Sequence, residues 1–286
     1  MGNGFQGTLL PVRAQIEIFS ILDIGILGSS YFVGFAVGCL KGSPLLHRAG
    51  HIRVFTAMAV IASAAALIHA LVVLPIVWWP LRMISGFCIA VLYIVIESWL
   101  NERSTNESRG LVMSHYTAIN LGVLTLGQLM VTLYDPTTLP LFALASILVS
   151  LAAVPVALTA APAPAPLQIP QLRIAYLYRL SPVGFLGCCA VGAANGSYCA
   201  LGPVFAQQSG LDIAGIAFFM SATAIGGALG QGPFGWLSDK IDRRKIIAAI
   251  CIVACIAAIA MALFNGRWPQ SILYFALLFG LLALPL

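Results

Sequence analysis

The sequence contains very little charge for its length. Of its 286 residues, 8% are charged and 60% are apolar, and the mean hydropathy is +1.00. A water-soluble domain of this size needs many more charged side chains to cover its surface. The shortage of charge therefore excludes a soluble globular protein and indicates an integral membrane protein.

Reactive and metal-binding patterns are also missing. The chain has four histidines and seven cysteines, and the cysteines lie in apolar runs and form no Cys-x-x-Cys pair. Cys251 and Cys255 are one helical turn apart, which permits a metal contact, but packing as small apolar side chains suits their surroundings better. There is no His-Glu-x-x-His motif, no Walker loop and no Gly-x-Ser-x-Gly elbow. We therefore expect no enzyme activity, no cofactor and no metal site.

The most informative feature that is present is an internal repeat. Residues 2–15, GNGFQGTLLPVRAQ, recur as residues 194–207, ANGSYCALGPVFAQ, at an offset of 192. The same offset pairs residues 2–53 with 194–245 and gives 14 identities in 52 pairs, where about five are expected by chance. A long repeat in an apolar chain predicts two like helical bundles that lie side by side with the same orientation.

Apolar runs of spanning length define the expected helices. They fall at about 21–42, 53–73, 76–98, 111–134, 138–160, 182–206, 213–236 and 246–265, with partial runs at 2–14 and 270–286. When Lys and Arg are counted in alternate loops, eleven lie on one side of the membrane and two, Arg13 and Arg267, on the other. The positive-inside rule assigns the larger set to the cytoplasm. The net charge of +5 is then a topology signal and predicts no nucleic-acid partner.

The repeat also predicts the domains. We expect an N-terminal bundle over 1–160 with a truncated first helix, a cytoplasmic linker over 161–179, and an incomplete C-terminal bundle over 180–286. The linker begins with alternating Ala and Pro, which favours an extended polyproline conformation. Mapping one half onto the other predicts about six helices per half and about twelve in the whole protein, of which this chain holds about nine to ten. No cleavable signal peptide is expected.

A charged segment carries the most specific motif. Residues 235–245, GWLSDKIDRRK, join two predicted helices on the basic side. They resemble motif A of the major facilitator superfamily, Gly-x-Leu-x-Asp-Arg/Lys-x-Gly-Arg-Arg/Lys, with Asp242 in place of the second glycine. The resemblance implies a cytoplasmic gate, in which a carboxylate accepts hydrogen bonds at a helix N-terminus and basic side chains pair with acids. The implied gating residues are Asp239, Lys240, Arg243 and Arg244. The alternative is a solvated basic loop that only fixes the topology.

The first-half copy of this motif, residues 43–53, is degraded. Arg48 and Arg53 keep the pattern, but His47 stands where the motif has its Asp. Glu97 lies near the C-terminal end of the fourth span, where a negative charge opposes the helix dipole and needs a cation. We therefore predict that Glu97 pairs with Arg48 or Arg53 as the remaining lock of the first half.

Candidate pathway residues are the few polar side chains inside the spans. Arg82 belongs to Arg82-x-x-x-Gly86, which resembles motif B of the same superfamily, and is predicted either to face a central cavity or to extend towards the membrane surface. Asn3 and Asn195 are repeat mates near the middle of helices that line the central cavity in this superfamily. Their amides are therefore predicted either to bind a polar substrate in that cavity or, equally, to form an interhelical hydrogen bond. The weaker candidates are Tyr93, Asn120, Gln128, Tyr198 and Gln231.

Two further repeated features make structural predictions. Ser20 and Asp23 form a capping-box pattern, and the repeat mate of Ser20 is Asp212, itself a good N-cap. We expect both carboxylates to be helix caps; proton binding is the alternative. Gly34-xxx-Gly38 recurs at positions 226 and 230 and predicts a close packing seam between the two bundles.

Together these features define an expected class. The chain resembles the major facilitator superfamily over essentially its whole length, and the runs Gly2-Asn-Gly, Glu97-Ser-Trp-Leu-Asn-Glu and Asn106-Glu-Ser-Arg-Gly resemble its YcaD-like branch. The resemblance implies an all-α transporter with two bundles related by a pseudo-twofold axis, in the bacterial inner membrane. The expected partners are a small-molecule substrate, a proton as candidate coupling ion, and lipid; the expected state is monomeric. A non-transporting fragment or receptor, and less so a lipid-modifying enzyme, are the alternatives.

Overall fold

The fold is built from long helices. The computed structural model describes residues 2–105, 108–159, 174–240 and 243–264, and within them only the backbone at 174–175, 231–240, 243–244, 257–258 and 260–264. No strand occurs in these ranges, and the predicted all-α class is confirmed. The helices are α1 (Gly2–Ile16), α2 (Ile21–Ala49), α3 (His51–Leu71), α4 (Pro75–Arg103), α5 (Arg109–Leu129), α6 (Leu139–Ala157), α7 (Ile174–Leu180), α8 (Pro182–Gln208), α9 (Ile213–Lys240) and α10 (Arg243–Phe264), and a 3-10 turn, Met130–Leu133, extends α5.

Seven of the described helices are long and apolar enough to cross a bilayer, with α5 counted together with its 3-10 turn. The predicted runs match these helices, but α2 and α4 continue for several residues beyond their predicted ends at 42 and 98. Hydropathy detects the part of a helix inside hydrocarbon, whereas a helix also continues into the polar interface. The last part of the predicted linker forms the short helix α7, and the remainder lies outside the described residues.

Both predicted helix caps are confirmed. The Ser20 hydroxyl accepts a hydrogen bond from the Asp23 amide at 3.1 Å, and the Asp23 carboxylate accepts one from the Ser20 amide at 3.1 Å. In the repeat, the Asp212 carboxylate accepts a hydrogen bond from the Gly215 amide at 2.8 Å. Each half therefore starts its second helix at the same repeat position, with its carboxylate satisfied by local donors.

The helices define two ends of the molecule. We call the end at the α2–α3 and α4–α5 connections the basic end, and the end at the α1–α2, α3–α4, α5–α6 and α8–α9 connections the opposite end. At the opposite end, Arg13 Nη1 donates to the Pro136 carbonyl at 3.3 Å, and Trp79 Nε1 donates to the Asp23 carbonyl at 3.3 Å. These bonds tie the loops of the first half together.

Helices α2 and α4 cross at backbone contact. A Cβ atom built on Gly34 would collide with the carbonyl oxygen of Met83, and one built on Gly86 would collide with the carbonyl oxygen of Tyr31. At Gly38 the same Cβ would lie 2.7 Å from the Phe87 carbonyl oxygen. Only a hydrogen atom fits at these positions, as at other close helix crossings. The predicted seam between bundles at Gly34 and Gly38 is therefore wrong in its partner, since α4 belongs to the same half.

The two halves meet towards the opposite end. One buried cluster joins Val12 of α1 to Ala206 of α8 and to Ile216 and Phe219 of α9. Gly28 of α2 packs directly against Ala200 of α8. Val204 of α8 joins the main core of the first half. These contacts join the halves on that side.

The glycine crossing makes a testable prediction. Gly86→Ala should destabilise the protein by about 1–3 kcal/mol, because the added methyl meets backbone that cannot move aside. Gly25→Ala on α2 is the matched control: its Cβ meets nothing within 4 Å, so it should be neutral or stabilising. Thermal unfolding of both variants in detergent measures the difference. Equal melting temperatures would contradict backbone contact at the crossing.

Candidate substrate cavity

A cavity of about 360 Å³ lies between the two halves. Its wall combines residues of α1, α2, α4 and α5 with residues of α8 and α9. This volume falls within the range of small-molecule sites, and a mostly apolar wall with a few polar groups is typical of them. Among the lining residues are four of the predicted pathway residues: Asn3, Arg82, Tyr93 and Gln128.

Arg82 is the only charged residue in the described lining of this cavity. It is 8% exposed, so it does not extend to the surface, and its guanidinium carbon lies 4.5 Å from the centroid of the Tyr31 ring. Its Nη1 atom has no hydrogen-bond partner among the described residues. A charged side chain costs about 2.5–3.5 kcal/mol on insertion scales at the centre of a spanning helix, and less towards its ends, where Arg82 lies in the N-terminal third of α4. A desolvated cation–π contact contributes about 2 kcal/mol, which offsets part of that cost.

The described acids are engaged elsewhere or lie outside the cavity wall. Asp23 and Asp212 cap helices, and Glu17 pairs with Arg13 at 2.6 Å. Asp135, at the surface, accepts the amide and hydroxyl hydrogens of Thr137, which lowers the pKa of its carboxyl group. No carboxylate is among the described residues that line the cavity, so its wall carries a net positive charge.

Tyrosines and amides form the remaining polar wall. The Asn3 side chain lies near the Tyr31 hydroxyl, and both residues line the cavity. Tyr93 OH donates to Asn120 Oδ1 at 3.3 Å, so Asn120 orients Tyr93 without lining the cavity itself. Gln128 is 6% exposed, and its Oε1 atom accepts no hydrogen bond from the described part of the chain.

Two of the other candidates lie away from this wall, and a third is not described. Tyr198 turns towards α9, where its hydroxyl hydrogen-bonds to Thr223. Asn195 is half-buried on α8 and is not part of the cavity lining. The side chain of Gln231 lies outside the described residues. The repeat mates Asn3 and Asn195 therefore occupy different environments.

Sequence reasoning missed the aromatic wall on α2. Tyr31, Phe32 and Phe35 line the cavity, and so do Cys199 and Met220 from the second half. Leu27, Tyr31 and Phe35 recur at a spacing of four and share a helix face, which was the available signal. The repeat did not reveal it, since the mate of Tyr31 is Thr223.

The structure describes the side chains of only three predicted gating residues, Arg48, Arg53 and Glu97. Glu97 is half-buried, and the structure shows no ion pair between it and Arg48 or Arg53, although all three side chains are described. Both arginines are exposed at the basic end. The side chains of Asp239, Lys240, Arg243 and Arg244 lie outside the described residues. The gating contacts therefore stay predictions.

The fold and its central cavity define a polytopic helical membrane protein of the transporter class. A model of the Major Facilitator Superfamily matches residues 1–286, and the chain belongs to that family. The expectation of a transporter and not an enzyme is thereby confirmed. The chain is 26% identical over 264 residues to the MFS-type transporter YcaD of Escherichia fergusonii. That alignment covers 92% of this chain and 69% of the E. fergusonii protein. The chain is also 28% identical over 260 residues to an MFS-type transporter of Enterobacter sp. (strain 638). That alignment covers 89% of this chain and 67% of the Enterobacter protein. The predicted YcaD-like resemblance is confirmed.

Solved transporter structures share the fold. A mutant of the nucleoside transporter NupG superposes with a TM-score of 0.76 at 14% identity, covering 99% of this chain and 76% of that one. A bacterial homolog of the human lysosomal transporter Spinster, in an inward-facing and occupied conformation, superposes with a TM-score of 0.75 at 16% identity, covering 99% and 70%. At these identities the likeness shows the fold alone.

The unpaired guanidinium makes a prediction about stability. Arg82→Met should leave the melting temperature unchanged or raise it, because it removes a buried charge that lacks a partner. The contrasting variant is Ser63→Ala, since Ser63 Oγ hydrogen-bonds with Ser146 Oγ at 2.6 Å and Ser150 Oγ at 2.7 Å. Ser63→Ala should cost about 1 kcal/mol. If Arg82→Met destabilises the protein more than Ser63→Ala in detergent unfolding, Arg82 is a structural residue.

Proposed function

We propose that this chain belongs to a secondary active transporter that carries a small polar molecule across the bacterial inner membrane by alternating access. The cavity between the two repeated halves, with Arg82, Asn3, Tyr93 and Gln128 at its wall, supports this proposal most directly. A site at the junction of two like bundles can be exposed to either side when the bundles rock about it. In this proposal the basic end faces the cytoplasm. The Pro-rich segment over 161–179 links one bundle at 1–160 to a second bundle at 180–286. The protein acts as a monomer.

The packing between the halves suggests which contacts must change. Val12, Ala206 and Ile216 join the halves at the opposite end, so these contacts must part before the cavity can open on that side. At the basic end we propose that Asp239 and the basic residues of motif A, together with Glu97 and Arg48 or Arg53, form contacts when that end closes. The separation of Glu97 from both arginines in this structure fits a state in which that lock is open.

Cross-linking the halves tests alternating access. Val12→Cys combined with Ala206→Cys, in a chain whose seven native cysteines are replaced by alanine, should stop transport on oxidation, because the opposite end can no longer open. Dithiothreitol should restore it. The measurement is accumulation, by proteoliposomes, of molecules from an isotope-labelled metabolite extract, with and without a proton gradient.

A cross-link inside one half is the matched control. Ser63→Cys with Ser146→Cys joins α3 to α6, whose hydroxyls already lie 2.6 Å apart, and these helices need not separate during rocking. Oxidation of this pair should leave accumulation intact. If both cross-links block accumulation, oxidation damages the fold; if neither does, the halves do not part at the opposite end. A protein that binds a molecule but accumulates none would be a receptor.

A charge exchange tests the proposed lock at the basic end. Glu97→Arg or Arg48→Glu alone should lower the transport rate, because each leaves like charges facing when that end closes. The double variant should recover most of the lost rate, since the pair is restored with its signs reversed. The same pair of tests with Arg53 distinguishes the two partners. Absence of rescue with either arginine would exclude the pair.

A further inference from the structure

We propose that the transported molecule is a small organic anion, whose carboxylate or phosphate group binds Arg82 while its apolar body packs against the aromatic wall of α2. This inference rests on the proposed function, because it assigns the ligand of the same cavity. Arg82 is a buried cation with an unpaired Nη1 atom, Gln128 Oε1 is an unpaired acceptor, and the described part of the wall contains no acid.

The charges of the described cavity wall are unbalanced. A guanidinium stays charged in proteins, and a buried charge is stable only when a partner compensates it. Arg82 faces the Tyr31 ring, whereas no carboxylate is found in the described lining. Glu97 is not among those lining residues either. The missing partner is supplied best by an anionic ligand.

The geometry of Arg82 specifies how that partner binds. The guanidinium carbon lies over the Tyr31 ring, at 4.5 Å from the ring centroid. A contact with the ring face uses up none of the guanidinium's N–H groups as hydrogen-bond donors to oxygen, and Nη1 is buried without a partner among the described residues. Planar N–H edges of this kind bind carboxylate and phosphate oxygens in pairs.

The rest of the wall limits the body of the ligand. Phe32, Phe35, Leu27 and Met220 present apolar surface, which favours a hydrocarbon or aromatic group. Gln128 Oε1 is buried and accepts no described hydrogen bond, so it is a second unpaired polar atom on a residue of this wall. Amines gain nothing here, because the described wall offers them no counter-charge and Arg82 repels them.

Cys199 provides a test that needs no knowledge of the substrate. It lines the cavity and lies within electrostatic range of Arg82. In a chain that keeps Cys199 and replaces the other six cysteines with alanine, the thiol is treated with two methanethiosulfonates, one carrying a sulfonate and one a trimethylammonium group. Each reaction forms a mixed disulfide and releases methanesulfinate. Arg82 changes the thiolate fraction equally for both reagents, so the ratio of their rates isolates the charge preferred by the cavity.

We expect the anionic reagent to react at least about tenfold faster relative to its cationic twin than it does with free thiol, as fields in charged clefts permit. Arg82→Gln should remove that preference, and Arg82→Lys should retain most of it. Arg13→Gln is the control for loss of one arginine, because Arg13 lies outside this cavity wall and pairs with Glu17.

If Arg82→Gln does not change the ratio of the two rates, the anion proposal is overturned, but the proposed transport through this cavity is not. If Cys199 reacts with neither reagent, the cavity is closed to water and the proposed function fails with it.

A matched pair of ligands gives the second readout. Benzoate at millimolar concentration should slow the labelling of Cys199, whereas benzamide, its neutral counterpart of the same shape, should not. Phenyl phosphate distinguishes phosphate from carboxylate. The protection should disappear in Arg82→Gln. Equal protection by benzoate and benzamide would overturn the proposal, and so would protection by phosphatidylglycerol nanodiscs without protection by any soluble anion.

Discussion

The backbone contact between α2 and α4 determines the geometry of the cavity. Gly34 and Gly86 allow each helix to approach the carbonyl groups of the other, and this approach places Tyr31 of α2 over the guanidinium of Arg82 on α4. Without that contact the buried arginine would lose the aromatic ring whose face attracts its charge. The two glycines contribute no chemistry themselves. They fix the distance at which a cation and an aromatic face stabilise each other inside the membrane.

The two halves that the sequence repeat pairs differ at the cavity. The first half supplies the charge and most polar groups, namely Arg82, Asn3, Tyr93 and Gln128, whereas the second half contributes Cys199, Ala200 and Met220. The repeat mate of Tyr31 is Thr223, which hydrogen-bonds to Tyr198 and so ties α8 to α9. The sequences of the two halves therefore differ where they face each other. The first half holds most of the polar groups of the described wall, and the second half adds mainly apolar contacts.

Local and periodic signals predicted the helices well, since hydropathy, the repeat and the caps at Ser20 and Asp212 depend on residues close in sequence. Contacts between helices were harder to predict. The sequence identified Gly34 as a packing residue but assigned the wrong partner, and it could not separate Tyr93, which lines the cavity, from Tyr198, which does not. Which face of a helix meets which neighbour depends on rotation and crossing geometry, which periodicity alone does not encode.

A ligand can drive the movement of the halves only if it interacts differently with the open and closed arrangements. A group held by Arg82 alone would touch one half and shift no equilibrium, however tightly it bound. The cavity wall, however, places Ala200 and Met220 of the second half with Arg82 and Tyr31 of the first. A molecule with an anionic end and an apolar body would therefore bridge the halves, and its apolar contacts with the second half would form or break as the bundles rock. The charge would then hold the ligand on Arg82. The apolar body, through its contacts with the second half, would link ligand binding to the movement of the halves.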